Sequence, residues 1–334
     1  MKRSYGFIIR AIALISIIAL LPLFTACGTS EQKESSGGAE YHTVTFNTNG
    51  GSKISSMEVR HGTMATAPND PTLENYIFCR WQTSEGRAFF FEYYTVDSDL
   101  SLEAIWIKAT DLFALEPMPD SDGIMITKIK RQEEFDSLEI PSIINGKTVE
   151  GIGMEAFASI IDTHAKEIIF PSTIRYVEEA AFLNITETEL VFTGAISHIE
   201  ESAFEATSTL KKIKLSAGPQ TIPFCAFSYC IGLQTIDIPE GVTTIEENAF
   251  ESCSAMKTIV LPSTLTQIEN GAFDECDAIK SVFFKGTQEQ FDAITFSTGN
   301  NSIKGADLYL YSEEEPIDAG AYWHYDKNGS PIIW

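Results

Sequence analysis

Apolar positions return on a fixed beat through the second half of the chain. An Ala-Phe pair recurs with Phe157, Phe182, Phe204, Phe227, Phe250 and Phe273, at successive spacings of 25, 22, 23, 23 and 23 residues. Five residues before each Phe stands an aliphatic: Ile152, Val177, Ile199, Ile222, Ile245 and Ile268. Fourteen and twelve residues before it stand the pairs Ile168/Phe170, Leu190/Phe192, Ile213/Leu215, Ile236/Ile238 and Ile259/Leu261. Strand side chains alternate, so both members of a pair point one way and the residue between them points the other. Each unit therefore predicts a short strand, a turn, a second aliphatic contact and an Ala-Phe turn. Self-similarity at a period in the twenties marks a stacked solenoid. One unit cannot bury its apolar residues alone, so the coils must share one continuous core.

The unit reads L-x-x-I-x-I/L-P…I-x-x-x-A-F-x-x-C, carried in order by Leu233, Ile236, Ile238, Pro239, Ile245, Ala249, Phe250 and Cys253. This resembles the BspA-type leucine-rich repeat of bacterial surface proteins, over roughly residues 123–311. The expected fold is a β-rich leucine-rich repeat solenoid of about six coils of 22–25 residues. The resemblance implies adhesion to host or neighbouring-cell components.

The flanks obey other patterns. Residues 41–108 predict a small β-rich module, with a short strand at Val44-Thr45-Phe46, a turn at Asn49-Gly50-Gly51 and an alternating strand from Leu100 to Trp106. Val44, Phe46, Asn49, Gly50, Gly51, Gly62, Pro68, Tyr76, Phe78, Trp81, Leu102 and Trp106 resemble the internalin-type B-repeat, a β-grasp-like module. Cys79-Arg80 depart from the Asp-Gly usual before the tryptophan. That resemblance implies a spacer or interaction role without catalytic residues. Residues 109–122, with Pro117 and Pro119, read as a linker, and residues 123–284 as the solenoid with its N-terminal cap. After Phe273 the period fails. Residues 285–334 read as a C-terminal cap, with a helix start at Thr287 carrying a capping-box pattern, a strand near Leu308 and an aromatic hairpin from Tyr322 to Trp334.

The other end of the chain is not part of this fold. Lys2, Arg3 and Arg10 lead into an almost wholly apolar run, so residues 1–26 read as a secretory signal. Leu23-Phe24-Thr25-Ala26-Cys27-Gly28 resembles a bacterial lipobox, although Phe24 departs from its usual aliphatic. That resemblance implies lipidation of Cys27 and a lipid-anchored, extracytoplasmic body; plain secretion is the alternative. Residues 27–40 lack apolar periodicity and read as a flexible tether. The formal net charge of −24 argues against nucleic acid and anionic bilayers as partners.

Candidate chemistry is sparse. Cys230, Cys253 and Cys276 occupy one repeat position and stack as a column, as buried thiols, as inter-coil disulfides or, with only one ligand type in line, as a poor zinc site. His42, His61, His164, His198 and His324 show no metal-ligand spacing along the sequence and read as surface residues. No nucleophile motif or phosphate loop is present, so neither an enzyme, a metal nor a cofactor is expected. Glu178-Glu179, Glu200-Glu201, Glu246-Glu247 and Glu269 recur before the marker Phe as a solvated acidic edge, with a weak Ca2+ or basic-partner site as the alternative. Asp120-Ser121-Asp122-Gly123 matches part of a calcium loop but lacks its distal Glu.

An extended sheet face is the surface such solenoids offer ligands. Its outward column reads Ile169, Val191, Lys214, Asp237, Val260 and Phe283, with Lys212 in the neighbouring column. The expected function is a non-enzymatic cell-surface binding or adhesion protein for an extracellular protein or glycan. Val260 and Phe283 serve as apolar anchors and Lys212 and Lys214 set orientation, unless a loop, the module or the C-terminal cap covers part of the column. The alternative is a structural envelope scaffold without a soluble ligand.

Overall fold

The computed structural model describes residues 39–131, 135, 137–158, 165, 167–186, 188–216, 220–316 and 320–334. Cys27, the signal, the tether before residue 39 and His164 lie outside the described residues.

The solenoid makes about seven turns. Each regular coil contributes a strand to one parallel ladder and a two-residue strand to a second. In the first ladder Glu167–Phe170 pairs with Glu189–Phe192, and Thr235–Asp237, Thr258–Leu261, Ser281–Phe284 and Asp307–Tyr311 follow one another in parallel. The second runs Thr221–Ile222, Thr244–Ile245, Gln267–Ile268 and Thr295–Phe296. The last strand of each ladder falls beyond Phe273. Residues 285–311 thus form a further coil, lengthened by the helices Gln288–Asp292 and Asn301–Lys304. These insertions push the next ladder positions off the 23-residue beat and hide the coil from a periodicity reading.

The Ala-Phe turn is the most regular part. The six marker Phe side chains are fully buried. Phe182, Phe204, Phe227, Phe250 and Phe273 stack with centroids 5.1–5.3 Å apart and rings within 9° of parallel. Residues two before the marker (Glu155, Ala180, Ser202, Cys225, Asn248) and two after it (Asn184, Ala206, Tyr229, Ser252, Glu275) take positive φ of 51–62°. A non-glycine residue there costs about 1 kcal/mol. The compensation is inter-coil hydrogen bonding: Ala180, Phe182 and Asn184 donate their N–H groups to Glu201, Ala203 and Glu205 carbonyls at 2.8–3.1 Å, and later coils repeat the pattern.

The cysteine column belongs to this device. Cys230, Cys253 and Cys276 are fully buried free thiols. Each Sγ donates to the marker-Phe carbonyl of the preceding coil, at 3.1, 3.2 and 2.9 Å. Thr207 occupies the same position and donates its hydroxyl to the Phe182 carbonyl. Burial pushes the Cys230 and Cys253 thiols well above their usual range.

The ladder ends on Asn300. Its buried side chain accepts the Phe273 N–H at 3.0 Å, replacing the carbonyl of a next coil. Its amide nitrogen donates to the carbonyls of Glu269, Ser297 and Thr298 at 2.7–3.2 Å.

Residues 109–122 are no linker. They form the short helix Ala109–Leu112 and the strand Phe113–Pro117, which pairs antiparallel with Ile124–Ile129 and opens the solenoid cap. Phe113 is fully buried, and an apolar side chain at the solenoid's open end is what draws this stretch in. The same core takes in Ile77, Cys79 and Ile107 from the module.

The module is a five-stranded mixed sheet in the order Met57–Arg60, Tyr41–Asn47, Leu100–Lys108, Tyr76–Thr83, Ala88–Phe89, with Tyr41–Asn47 parallel to Leu100–Lys108. Its own core holds Val44, Leu102 and Trp81. The register shifts between Phe78 and Arg80, leaving Cys79 as a bulge residue. The bulge lets Phe78 and Trp81 reach the module core while Ile77 and Cys79 face the solenoid core. The Cys79-Arg80 departure therefore sits where the two cores meet.

Candidate functional site

The sheet face expected to bind a partner is closed at one end and bounded at the other. At its C-terminal end the hairpin of Tyr322–Tyr325 and Pro331–Ile333 extends the first ladder and folds over it. Trp323 is fully buried against Val260 and Phe283, with Tyr309 and Tyr325 packed around them. Val260 and Phe283 are 1% and 4% exposed, so they are not available to a partner as anchors. The physical reason is the one that suggested them. Contiguous apolar residues on an open face demand a cover, and this chain supplies its own.

Polar contacts lock that cover. Trp323 Nε1 donates to the Phe284 carbonyl at 3.1 Å. Tyr325 Oη donates to Asp237 Oδ2 at 2.6 Å, and Lys285 Nζ meets Asp237 Oδ1 at 2.7 Å. Burial first, then the Asp237 hydrogen bond, holds the Tyr325 phenol well above its usual range. Asp237, an outward-column residue, thus works as a docking point within the chain.

At the N-terminal end a cleft of about 450 Å³ lies between the module and the first solenoid strands. Phe78, Trp81 and Phe90 line one side, and Glu139, Glu167 and Ile169 the other. Ile169 is half-buried at its margin.

Between these ends the face stays open. Val191 is half-buried, and Lys212 and Lys214 are exposed. No strand forms at Lys212–Lys214; the first ladder divides there into a three-stranded and a six-stranded sheet. Ile196 and Leu215 form an isolated bridge across the division. Lys211 pairs with Glu189 at 2.9 Å, an exposed contact of small energetic weight. Lys212 and Lys214 therefore stand on a locally irregular, solvated stretch of a strongly acidic protein.

The acidic edge has an internal role. Glu178 Oε2, Glu200 Oε2 and Glu246 Oε2 accept the N–H groups of Met154, Glu179 and Phe224 in the preceding coil, at 3.0–3.1 Å. Charge-assisted bonds of this kind offset the repulsion of stacked carboxylates. The calcium-loop-like stretch is likewise engaged: Tyr176 Oη donates to Asp120 at 2.6 Å, and Ser121 Oγ donates to Glu150, which also accepts from Arg175. The Ser121 and Arg175 hydrogen bonds draw the Glu150 carboxyl below its usual range.

Two features escaped the sequence reading. Phe224, Tyr229 and Ile231 are exposed together on the coil where Pro223-Phe224 replaces the glutamate pair; that break in the acidic array was the available signal. His42 and His61, 19 residues apart, are brought within 2.9 Å of each other, so sequence spacing was the wrong test for them. The register of a hairpin decides their proximity.

Comparison with known proteins follows the same division. The BspA type leucine rich repeat region matches residues 127–223 and 185–304, in 6 copies. The Listeria-Bacteroides repeat domain matches residues 42–105. A putative membrane protein of Evansella cellulosilytica is 39% identical over 67 residues, which cover 20% of this chain and 10% of that protein. A putative Gly-rich membrane protein of the same organism is 37% identical over 67 residues, covering 20% and 8%. The chain thus spans no more than 10% of the length of these relatives. Among solved structures, a leucine rich cell surface protein from Faecalibacterium prausnitzii A2-165 is 25% identical with a TM-score of 0.38, covering 54% of this chain and 40% of that one. The T. pallidum leucine rich repeat protein is 23% identical with a TM-score of 0.35, covering 60% and 84%.

Proposed function

The chain belongs to the BspA-type leucine-rich repeat family, which matches it across residues 127–223 and 185–304, and from that premise we propose that it is a non-enzymatic binding protein of the bacterial cell surface. In this reading Cys27 carries a lipid anchor and residues 28–40 hold the body off the membrane. The module at residues 41–108, β-grasp-like in the internalin sense, acts as a spacer and as one wall of the binding face. The solenoid face binds an extracellular protein or glycan, in keeping with adhesion.

One observation carries the reading. The face is covered where it is most apolar and left open around Val191, Lys212 and Lys214. A chain that buries its own apolar end but keeps exposed lysines in an overall charge of −24 presents a local positive patch suited to an acidic protein or anionic glycan. The scaffold alternative draws on the covered ends, since Val260 and Phe283 are already satisfied within the chain.

The test measures binding of the protein to immobilised extracellular-matrix proteins and acidic surface glycans. Lys212→Glu with Lys214→Glu should abolish it, while Phe224→Ser with Tyr229→Ser should not. The opposite result would place binding on the exposed apolar edge, and no binding in any arm would favour the scaffold. Separately, Cys27→Ser should release the protein from the membrane fraction; retention with unchanged mobility would remove the lipid anchor from the reading.

A further inference from the structure

The strands Tyr41–Asn47 and Met57–Arg60 pair antiparallel, with Tyr41 opposite Arg60 and His42 opposite Val59. Pairing continues one step beyond them, because His61 donates its N–H to the Glu40 carbonyl at 2.8 Å. Glu40, His42 and His61 therefore share one face of the hairpin end, on the side from which Val44 and Val59 enter the module core. Their ligand atoms lie within 4.8 Å of one another. His42 Nε2 is 2.9 Å from His61 Nδ1 and 4.0 Å from Glu40 Oε1.

The other side of the His42 ring is occupied too. Asp99 Oδ1 lies 4.0 Å from His42 Nδ1 and is fixed by accepting the Thr43 N–H at 2.9 Å. Asp99 is placed there because the strand Leu100–Lys108 runs parallel to Tyr41–Asn47, with Val44 opposite Leu100. The His42 side chain is only 12% exposed, so its ring is held between these groups. At 4.0 Å the Asp99 carboxylate is beyond hydrogen-bond distance of His42 Nδ1, but it stands on the side of the ring from which a carboxylate orients a metal-ligating histidine once the ring N–H donates to it.

We propose that Glu40, His42 and His61 form a binding site for a borderline divalent transition-metal ion such as Zn2+, with Asp99 as the positioning residue for His42. Two imidazole nitrogens and one carboxylate oxygen suit Zn2+, Cu2+ or Ni2+; Ca2+ and Mg2+ take oxygen ligands. Tetrahedral coordination with Zn–N bonds of about 2.0–2.1 Å needs ligand atoms roughly 3.3 Å apart. The two nitrogens must part by a few tenths of an ångström, and the glutamate oxygen must close by about 0.7 Å on His42 Nε2 and by up to about 1.5 Å on His61. Exposed His61 and Glu40 have the freedom to do this. Three protein ligands leave a fourth position for water or a further ligand. The site is independent of the solenoid face.

The experiment titrates the full, tag-free chain with Zn2+ by calorimetry and with Cu2+ by electron paramagnetic resonance. One saturable Zn2+ site and a Cu2+ spectrum with hyperfine structure from two imidazole nitrogens are expected. His61→Ala, at an exposed position, should weaken Zn2+ binding at least about tenfold and leave one nitrogen. Asp99→Asn keeps an acceptor for Thr43 while losing the charge on His42; it should weaken binding about 10–100-fold without moving the metal-free melting temperature. Glu246→Gln with Glu247→Gln on the acidic edge should leave binding unchanged. The proposal is overturned if no saturable site is found, if His61→Ala binds as tightly as the parent, or if the acidic-edge variant loses binding to the same degree.

Discussion

Two columns run the length of this solenoid and behave differently. The Ala-Phe edge does the same thing in the four coils marked by Phe182, Phe204, Phe227 and Phe250: a marker Phe stacks on the next, two positive-φ residues flank it, and three N–H groups reach into the following coil. The outward sheet column changes coil by coil. Ile169 borders the module cleft, Lys214 stands in solvent, Asp237 anchors the hairpin, and Val260 and Phe283 lie beneath Trp323. Each coil needs the same contacts to its neighbours along the stack, and that demand is periodic. What lies over the face is not part of the stack and is free to differ.

The largest way to break this contrast is Phe250→Ala. Phe250 is fully buried between Phe227 and Phe273, with centroids 5.2 Å away on both sides. Removal should cost about 3–5 kcal/mol, measured by chemical denaturation, and should lower hydrogen-exchange protection in both adjacent coils. A loss confined to one coil would show that the column is less continuous than its geometry.

Asn300→Leu tests whether the regular edge needs its terminator. It strands the buried Phe273 N–H, which should cost about 1–3 kcal/mol, and it withdraws a donor from three carbonyls. Amide exchange should quicken at Phe273 first. Unchanged exchange there would mean that water or another group caps the ladder as well.

On the irregular face, Tyr325→Phe removes one of the hairpin's locks to Asp237. At neutral pH the cost should be about 1.5 kcal/mol. The pH dependence sharpens the test. Burial and the Asp237 bond raise the folded-state phenol above its unfolded value, so the neutral form is favoured on folding. Its contribution is fully present below about pH 10 and is lost as pH rises beyond that toward the folded value. Thermal melting between about pH 9 and 11 should therefore fall more steeply in the parent than in Tyr325→Phe. Parallel profiles would remove Tyr325 from the alkaline loss.

How much was legible follows the same contrast. The marker Phe, the aliphatics five before it and the inward pairs were readable because a strand buried on one face repeats its apolar residues at the coil period. The coil at residues 285–311 was missed because two short helices lengthen it. The prolines that punctuate residues 109–122 give the pattern of a linker, whereas helix Ala109–Leu112 and strand Phe113–Pro117 form there because Phe113 is core. The burial of Val260 and Phe283 depends on Trp323, and Asp237 meets Tyr325 across 88 residues. No local pattern encodes such pairings. The closeness of His42 and His61 has the same origin, since a strand register rather than a motif produces it.

The smallest expected effect lies in the cysteine column. Cys253 is fully buried, its N–H and Sγ donate to the Phe250 and Phe227 carbonyls respectively, and its carbon frame fills a core position. The Phe227 carbonyl also accepts the Cys230 N–H, so it is not stranded when the thiol is lost. Thr207 already performs the same bond two steps earlier in the column with a hydroxyl and a similar volume. Cys253→Thr should therefore stay within about 1 kcal/mol of the parent, by chemical denaturation. Cys253→Val keeps the volume and removes the donor, so it should be destabilising by about 0.5–1.5 kcal/mol, the net worth of a hydrogen bond. If Val proves as stable as Thr, the column is a matter of packing volume alone. If Thr is as damaging as Val, the repeat position requires sulfur for a reason that neither burial nor the Phe227 carbonyl supplies.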